Sequence, residues 1–410
     1  MNYELFIAKR IIAGKEYKSS ISSPIIKIAI IAISLGIAIM LISVAVSFGF
    51  KQKIREKIAG FKGHVQVTNY DNNNSDISTV PILLDQDFYP NFSSVKGVKA
   101  VQPYANKAGI IRTATDFQGI VFKGVNKEYD FTFFKDYLVA GRLPNYEQKR
   151  NKEILISKSI LDRLQLKLND TIVTWFQKEA SKSFKMRKPV IVGVYETGFE
   201  QYDNTIIVGD LKEVQRINKW KDNEVGGFEV VLDNFDSIKL KEEKIDEETG
   251  PLLKTNTILE SFSSLFDWLE LFDNNVIFII IIMIIIAGIN MITALLVLIL
   301  EKVQMVGVLK ALGGDNVGIQ KMFLYCASYL VIRGLFYGNL IALSLLLIQK
   351  YFNVITLNSE TYYVSTVPIY INVFHFLLLN IGTLLLCVIM LIVPSMIVTK
   401  INPSKAIKFE

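Results

Sequence analysis

Apolar residues in this chain are concentrated in four long runs, and the remaining sequence has an ordinary mixture of polar and apolar positions. The runs cover residues 28–48, 276–300, 322–349 and 373–399. Each run is long enough to cross a bilayer, which needs roughly 20 apolar residues. The pattern therefore predicts an α-helical membrane protein with four transmembrane helices and a large mixed α/β domain inserted between helices 1 and 2.

The ends of these runs define the expected organisation. We expect an amphipathic N-terminal segment at 1–23, transmembrane helix 1 at 24–49, an outer domain with a stalk at 50–272, transmembrane helix 2 at 273–300 and a connecting helix on the inner side at 301–321. Transmembrane helix 3 at 322–349, an outer loop at 350–372, transmembrane helix 4 at 373–399 and an inner tail at 400–410 should follow. The first run is longer than the apolar region of a signal peptide, so cleavage after it is disfavoured.

The orientation follows from the basic residues next to the runs. The N-terminal segment, the connection between runs two and three and the tail each carry several basic residues, namely Lys9, Arg10, Lys15, Lys18, Lys302, Lys310, Lys321, Lys400, Lys405 and Lys408. The connection between runs three and four has only Lys350 and Glu360 as charged residues. The positive-inside rule therefore predicts that both termini are cytoplasmic.

The region between runs one and two has the alternating patterns of strands and the capping residues of helices. Strands are predicted at 63–69, 98–112, 118–125, 171–176, 190–195, 205–208 and 228–232. Helices are predicted from Ser157 to Leu166, from Asp210 to Asn218 and over 235–248. Residues 50–58 should extend helix 1, and 255–275 should continue into helix 2 without a break, so that two helical extensions form a stalk.

The composition gives no sign of a catalytic, metal or cofactor site. The net charge is +6, and the chain has two cysteines and two histidines. Both cysteines, Cys326 and Cys387, lie within predicted spans, and the histidines are far apart in sequence. We therefore expect no cofactor, no metal and no nucleic-acid partner.

The sequence EKVQMVGVLKALGG, residues 301–314, lies between runs two and three. It is long enough for one short helix along the membrane surface, and Gly313 and Gly314 should end that helix. Such a helix can receive a push from a soluble partner and pass it to both attached spans. An ordinary interfacial loop is the alternative interpretation.

Several of these motifs together resemble one family. FIAKR at 6–10 resembles its opening helix, SLGIAIMLISVAVSFGFKQKI at 34–54 its first span, EKVQMVGVLKALGG its coupling helix and INPSKAIKFE at 401–410 its ending. The chain resembles the permeases of type VII ABC transporters, the superfamily that includes MacB and FtsX. Residues 47–67, AGRLP at 140–144 and residues 152–172 are most similar to the lipoprotein-releasing LolC/LolE branch.

The resemblance implies a permease subunit in the bacterial inner membrane that releases lipoproteins to a periplasmic carrier by mechanotransmission. It also implies a dimer of a cytoplasmic, LolD-like ABC ATPase, a second permease copy or paralogue, membrane lipids and a lipoprotein as partners. The implied ATPase-coupling residues are Glu301, Lys302, Gly307, Lys310 and Gly313. A separate ATPase agrees with the lack of a Walker A pattern in this chain, so the permease itself should not be an enzyme.

The chain departs from the family pattern in two places. Lol permeases that recruit the carrier have a proline-rich hairpin hook where this chain has the short hairpin 178–188, with only Pro189 at its base. The family also has an acidic residue early in the third span, near Cys326, whereas this chain has Arg333 further along. The sequence therefore does not determine whether this hairpin binds a carrier.

A charge within a span costs roughly 2.5–3.5 kcal/mol on insertion scales, so Arg333 must face protein, water or a lipid headgroup. It either lines a cavity between two permeases and contacts anionic lipid or substrate, or makes a structural contact with helix carbonyls, Asn290 or Asn380. Gly334 and Gly338 should allow close helix packing.

An extracted acyl chain needs an apolar site that opens towards the outer leaflet. The outer ends of helices 1 and 2 supply the candidates Phe48, Phe50, Phe262, Leu265, Phe266, Leu269 and Phe272. These side chains either enclose a substrate cavity in a dimer or pack together within one stalk.

Three other functions remain open. A MacB-like efflux permease would work with an outer-membrane channel, and an FtsX-like protein would regulate a cell-wall hydrolase. A membrane enzyme would need a nucleophile and a base at suitable spacing, and no such constellation is visible.

Overall fold

The computed structural model describes residues 3–13, 23–72, 77–147, 151–177 and 183–402. The chain forms two compact units. The helical unit contains Met1–Lys51, Trp268–Ile355 and Val367–Glu410, and the sheet unit contains Gln52–Asp267 and Thr356–Thr366. Part of the connection between the third and fourth spans therefore belongs to the sheet unit, which the sequence pattern did not indicate. Residues 178–182 of the hairpin and 403–410 of the tail lie outside the described residues.

In chain order the described helices are α1 Tyr3–Ala13, α2 Ser23–Lys62, α3 Thr132–Asp136, α4 Lys158–Arg163, α5 Glu200–Asp203, α6 Leu211–Asn218, α7 Ile238–Thr249, α8 Ile258–Ser261, α9 Ser263–Glu301, α10 Val303–Ala311, α11 Asn316–Phe352, α12 Ser359–Tyr362 and α13 Val373–Ser395. The described strands are β1 Val65–Asn69, β2 Ile82–Leu83, β3 Val98–Arg112, β4 Phe117–Val125, β5 Leu138–Gly141, β6 Glu153–Ser157, β7 Thr174–Gln177, β8 Phe184–Arg187, β9 Val190–Tyr195, β10 Ile206–Asp210, β11 Glu224–Val225, β12 Gly227–Leu232 and β13 Leu253–Thr257.

Four of these helices, α2, α9, α11 and α13, are long and apolar enough to cross a membrane. The first three contain the whole of their apolar runs, and the fourth run continues from α13 into the 3₁₀ turn Met396–Lys400. The predicted number of candidate spans is confirmed. The helix that contains the first run is longer than the run itself, because α2 continues without a break to Lys62. The expected helical extension after Phe48 is therefore present and longer than predicted.

Close contact between α2 and α11 organises the helical unit. At Gly338, a Cβ atom would lie 2.0 Å from Cγ2 of Ile37 and 2.5 Å from the carbonyl oxygen of Ser34. At Gly334, a Cβ atom would lie 2.6 Å from Cγ2 of Ile33. The hydroxyl of Ser34 donates to the carbonyl of Gly334 at 3.0 Å. The two glycines therefore let the backbones approach, as their spacing predicts.

The sheet unit is built on an 11-stranded mixed sheet. Its main order is β13-β1-β12-β3-β4-β10-β6-β9-β5, with β7 paired to β3 and β8 paired to β7. The β4–β10 and β6–β9 pairs are parallel, and the other ladders are antiparallel. Val65, Val230 and Val101 face one another across β1, β12 and β3, and all three are buried. This row forms part of the apolar core on one face of the sheet.

Local capping signals identified two helices of this unit correctly. The side chain of Ser157 accepts from the backbone N–H of Ile160, and the side chain of Asp210 accepts from that of Lys212. Both side chains satisfy N–H groups that have no partner within the helix. The helix after Ser157 is shorter than predicted, because it ends at Arg163 rather than Leu166.

The prediction of one unbroken helix over 255–275 is wrong. Residues up to Thr257 form β13, which pairs with β1. Thr257 and Glu260 then form a capping box that starts α8, and Phe262 separates α8 from α9. Ladder hydrogen bonds to β1 outweigh the helical periodicity of the side chains at the start of this segment, because pairing satisfies its backbone groups.

We predict that Gly338→Val lowers the stability of the protein by about 1–3 kcal/mol, because the new side chain must displace backbone as well as Ile37. The matched control is Gly382→Val, since nothing lies within 4 Å of a Cβ atom at Gly382. Thermal unfolding of the purified protein in detergent measures both. Equal midpoints for the two variants would contradict the proposed α2–α11 contact.

Candidate functional site

The segment 301–314 forms a short helix between two candidate spans. The helix α9 ends at Glu301, Lys302 forms the joint, and α10 begins at Val303. At the other end, the N–H of Gly313 donates to the carbonyl of Lys310 and that of Gly314 to the carbonyl of Leu309, at 3.1 and 2.9 Å. This is the Schellman pattern, with Gly313 at φ +88°. The two glycines end the helix as the sequence predicts.

The predicted coupling residues do not share one face of α10. Gly307 is buried beside Val306, and the amine of Lys310 is bound to backbone carbonyls of the helical unit. Glu301 and Lys302 form an ion pair at 3.1 Å where α9 joins α10. The exposed face instead carries Gln304, Val308 and Leu312. Sequence analysis missed these three residues, although their spacing of four places them on one side of a helix.

Among the predicted cavity residues of the helical unit, most pack within the chain. The rings of Phe50 and Phe272 are stacked with centroids 5.8 Å apart. Leu269 is only 2% exposed, whereas Phe48 is 37% exposed and its ring lies 4.2 Å from that of His375. The sequence left two alternatives open, a substrate cavity in a dimer and packing within one chain. Phe50, Leu269 and Phe272 pack within the chain.

The remaining cavity candidates, Phe262, Leu265 and Phe266, belong to the sheet unit and are half-buried. The ring of Phe262 lies 6.2 Å from that of Tyr202, and the amine of Lys62 lies 5.2 Å from its centroid. The ring of Phe266 lies 5.6 Å from that of Phe235. Both phenylalanines therefore contribute to packing inside the sheet unit.

A different set of apolar side chains is exposed on α9. In the most apolar window of this helix only 17% of residues are buried, compared with 22% for the fourth span, 33% for α11 and 56% for α2. Five apolar side chains on one face of α9 are between 48% and 64% exposed. We call this face the α9 stripe; it consists of Leu271, Phe278, Ile282, Ile285 and Ile289. The sequence could not distinguish this face, because almost every position of the run is apolar.

Arg333 lies on the exposed side of α11, and its guanidinium carbon is 4.6 Å from the ring centroid of Tyr329. The alternative contacts with the two asparagines are not formed. Asn380 exchanges hydrogen bonds with Asn339 at 2.7 and 3.1 Å, and Asn290 donates to the carbonyl of Ile286 at 3.0 Å. The cation–π contact with Tyr329 is a partial substitute for hydration.

Two family models match this chain. The MacB-like periplasmic core domain matches residues 28–248, and the FtsX-like permease C-terminal domain matches residues 277–403. The first match alone covers more than half of the 410 residues. The chain belongs to the FtsX/MacB family of ABC transporter permeases. The family resemblance inferred from the motifs of the sequence is thus confirmed.

The permease is similar to curated proteins over nearly its whole length. It is 21% identical to the lipoprotein-releasing system transmembrane protein LolC of Neisseria meningitidis, with 99% of each chain covered. It is 18% identical to the lipoprotein-releasing system transmembrane protein LolE of Haemophilus influenzae, again with 99% of each chain covered. A LolC protein of Xylella fastidiosa is 21% identical over 93% of each chain.

Solved structures give looser matches to the permease. The extracellular domain of the noncanonic ABC-type transporter YknZ from Gram-positive bacteria covers 47% of this chain and 98% of its own, at 15% identity and a TM-score of 0.29. The periplasmic region of MacB from Actinobacillus actinomycetemcomitans covers 50% and 92%, at 14% identity and a TM-score of 0.34.

Within the sheet unit, the C-terminal end of α2 is held by a buried ion pair. The amine of Lys123 lies 2.7 and 2.8 Å from the two carboxylate oxygens of Glu229, and it also donates to the carbonyl of Phe61. The side chains of Lys123 and Glu229 are only 2% and 3% exposed. The ring of Phe61 packs against Phe134 and Tyr202 at 5.6 and 4.7 Å. We call this group of residues the α2 anchor.

Burial opposes both charges of the α2 anchor. It lowers the pKa of the Lys123 amine and raises the pKa of the Glu229 carboxyl, while the attraction between the two groups acts in the opposite direction for each. Removing Lys123 would leave the Glu229 carboxylate buried with the more weakly acting Lys62 charge and a hydrogen bond from Gln66, which is more costly than removing both charges of the pair.

We predict that Lys123→Met destabilises the permease by about 3–5 kcal/mol. The double variant Lys123→Met/Glu229→Leu should recover part of this loss, because the remaining defect is the unpaired carbonyl of Phe61, worth about 1–3 kcal/mol. Thermal unfolding in detergent measures both variants. As a control, Lys158→Met removes an amine from a half-exposed pair with Glu196 and should cost less than about 1 kcal/mol. Equal effects of Lys123→Met and Lys158→Met would refute the anchor.

Proposed function

We propose that this permease releases lipoproteins from the inner membrane to a periplasmic carrier, using ATP hydrolysed by a separate cytoplasmic dimer that resembles LolD. The near full-length similarity to proteins named as lipoprotein-releasing supports this choice within the family. In this proposal both chain termini and α10 are cytoplasmic, the sheet unit is periplasmic, and two permeases work together.

The observation that carries the substrate assignment is the exposed α9 stripe. Extracting an acyl chain from a bilayer into water costs about 0.8 kcal/mol per methylene, so a releasing protein must offer an apolar surface in exchange. The α9 stripe is such a surface, and Phe48 offers a second, partly exposed apolar side chain in the same unit. We propose that the stripes of two permeases enclose the acyl chains and that Phe48 lines this cavity. In this proposal Phe50, Leu269 and Phe272 pack behind the residues that line the cavity and do not contact the acyl chains.

The ATPase is proposed to bind the exposed face of α10. Val308 is 47% and Leu312 is 81% exposed, and their spacing of four residues forms a small apolar surface that suits a protein partner. Glu301, Lys302, Gly307 and Gly313 then fix the position and the ends of α10, and Lys310 binds carbonyls elsewhere in the helical unit. The contact with the ATPase is made by Gln304, Val308 and Leu312. A movement of α10 is passed to α9 and α11, because each is joined to it by only a few residues.

The α2 anchor supports a mechanical mode of action. The helix α2 begins at Ser23 in the helical unit and ends at Lys62 in the sheet unit without interruption. We propose that movement of the spans is carried along α2 and α9 into the sheet unit, which opens and closes over the acyl chains. The lipoprotein would not need to pass through the membrane.

A MacB-like efflux permease is the second candidate, because the family model that covers more than half of the chain is named for MacB. That function would also use α10 and the helical extensions, but it would work with an outer-membrane channel and would not release lipoproteins. Arg333 is proposed to contact an anionic lipid or the substrate in either case, since its cation–π contact leaves its exposed side free to accept a further partner.

For the ATPase contact, we predict that Leu312→Asp and Leu312→Lys both weaken co-purification of the ATPase by at least about tenfold, which corresponds to ~1.4 kcal/mol. Both signs of charge are tested because a negative charge also destabilises the C-terminal end of a helix, whereas a positive charge does not. If only the aspartate variant fails, the helix rather than the contact is affected.

The matched control for this experiment is Leu252→Asp, because Leu252 is 83% exposed in the sheet unit. It should leave ATPase binding unchanged. Normal ATPase binding by both Leu312 variants would show that this face of α10 does not contact the ATPase.

For the substrate, we predict that a photo-reactive phenylalanine at Phe278 captures a lipoprotein before ATP is added and loses it afterwards. The control position is Phe336 on α11, which is 65% exposed compared with 64% for Phe278. Membranes with the ATPase and an acylated lipoprotein provide the assay, and immunoblotting identifies the product.

Three outcomes decide between the candidates. Capture at Phe278 but not at Phe336 supports lipoprotein release. Equal capture at both positions indicates random contact with lipoproteins in the membrane, and no capture by an ATP-hydrolysing complex favours the efflux function.

A further inference from the structure

The cytoplasmic-side end of the fourth candidate span is irregular. Pro394 lies inside α13 and has no N–H to donate, and α13 passes at Ser395 into a 3₁₀ turn, Met396–Lys400. The last carbonyls of a helix have no partner within it, and a proline near the end frees one more. This end of the span therefore needs hydrogen-bond donors from elsewhere in the helical unit.

Two side chains outside α13 donate near this end of the span: Lys310 to carbonyls in and just after the 3₁₀ turn, and Gln320 to the last turn of α13. The amine of Lys310, on α10, donates to the carbonyls of Val398, Thr399 and Ile401 at 2.8, 3.3 and 2.9 Å. An ammonium group has three N–H bonds, so these three carbonyls use its whole donor capacity. A cation at this end of a helix is also favoured by the helix dipole.

Gln320, in the second turn of α11, makes the other contacts. Its side-chain amide donates to the hydroxyl of Ser395 at 2.8 Å and to the carbonyl of Ile392 at 3.3 Å. The hydroxyl of Ser395 in turn donates to the carbonyl of Ile392 at 2.6 Å. We call Lys310, Gln320 and the carbonyls that they bind the α13 clasp.

The clasp matters because α10 is adjacent in sequence to α9 and α11 but not to α13. The helices α9 and α11 are joined covalently to α10 through Lys302 and through the short turn Leu312–Asp315, whereas α13 is separated from α10 by the whole of α11 and the segment after it. A movement of α10 therefore reaches α9 and α11 through the backbone, but it reaches α13 through side-chain contacts. The three bonds of Lys310 join these two elements directly.

We propose that Lys310 is a positioning residue that makes the fourth span follow α10 when the ATPase moves it, with Gln320 holding the same end of α13 to α11. The proposal rests on the proposed function, because it assumes that an ATPase moves α10. It assigns Lys310 a role inside the helical unit, and the ATPase contact is left to the exposed face of α10. The movement of α10 then reaches three spans, α9, α11 and α13, rather than α9 and α11 alone.

The test uses the full complex and a reporter on the 3₁₀ turn. Ile397→Cys places a thiol on a side chain that is 39% exposed, while the natural cysteines Cys326 and Cys387 are buried. The rate of maleimide labelling at this position is compared without nucleotide and during ATP hydrolysis. In the otherwise unaltered complex, we expect the two rates to differ by threefold or more.

Lys310→Met removes all three donors and keeps a similar apolar stem. We expect this variant to bind the ATPase and hydrolyse ATP within about twofold of the parent, but to lose the nucleotide-dependent difference in labelling. Lys310→Arg should restore the difference in part, because its planar guanidinium can still reach some of the carbonyls. Lys321→Met is the control, since it removes an exposed amine from the first turns of α11 and should change neither readout.

The outcomes separate this proposal from the function on which it rests. A complex that binds no ATPase even without substitutions refutes the proposed function. A complex that hydrolyses ATP and keeps the full labelling response in Lys310→Met refutes the clasp alone. If Lys310→Met does not accumulate in membranes, Gln320→Leu replaces it: a reduced labelling response supports the clasp, and an unchanged response overturns it.

Discussion

The structure depends on finding donors for the carbonyl groups at the ends of its helices, and lysine supplies them repeatedly. Lys123 donates to the carbonyl of Phe61 at the end of α2, and Lys310 donates to three carbonyls in and just after the 3₁₀ turn that follows α13. Lys185 donates to the carbonyls of Arg216 and Ile217 at the end of α6. An ammonium group suits this role because its donors rotate on a flexible stem and its charge complements the helix dipole.

This use of lysine also explains which parts of the molecule are tightly coupled. At the α2 anchor, the bond to Phe61 occurs in a buried site, where the charge of Lys123 requires Glu229 as a counter-ion. At the α13 clasp, the amine is only half-buried and three neutral carbonyls are sufficient. The first site holds a helix end within the sheet unit through a buried pair of charges. The second is more exposed to water, so it can follow a moving element without the cost of burying a separated charge.

The four candidate spans differ in how much of their surface the chain covers. The helix α2 is well covered, because Gly334 and Gly338 on α11 let the two backbones approach. The helix α9 leaves a continuous apolar face open. The chain thus combines one largely covered span with spans that leave apolar faces open.

The sequence by itself determined the features that depend on neighbouring residues. These include the four apolar runs, the stop of α10 at Gly313 and Gly314, and the helix starts at Ser157 and Asp210. Each follows from local backbone geometry, local capping or the length of a run, and the family motifs are local patterns as well. Contacts in the tertiary structure determined that Thr255–Thr257 is a strand, that Gly307 and Lys310 face inward, and that Asn380 pairs with Asn339 instead of contacting Arg333. These outcomes depend on partners distant in sequence, because a backbone or charged group takes the partner that packing brings within reach, and the periodicity of a single segment carries no information about that partner.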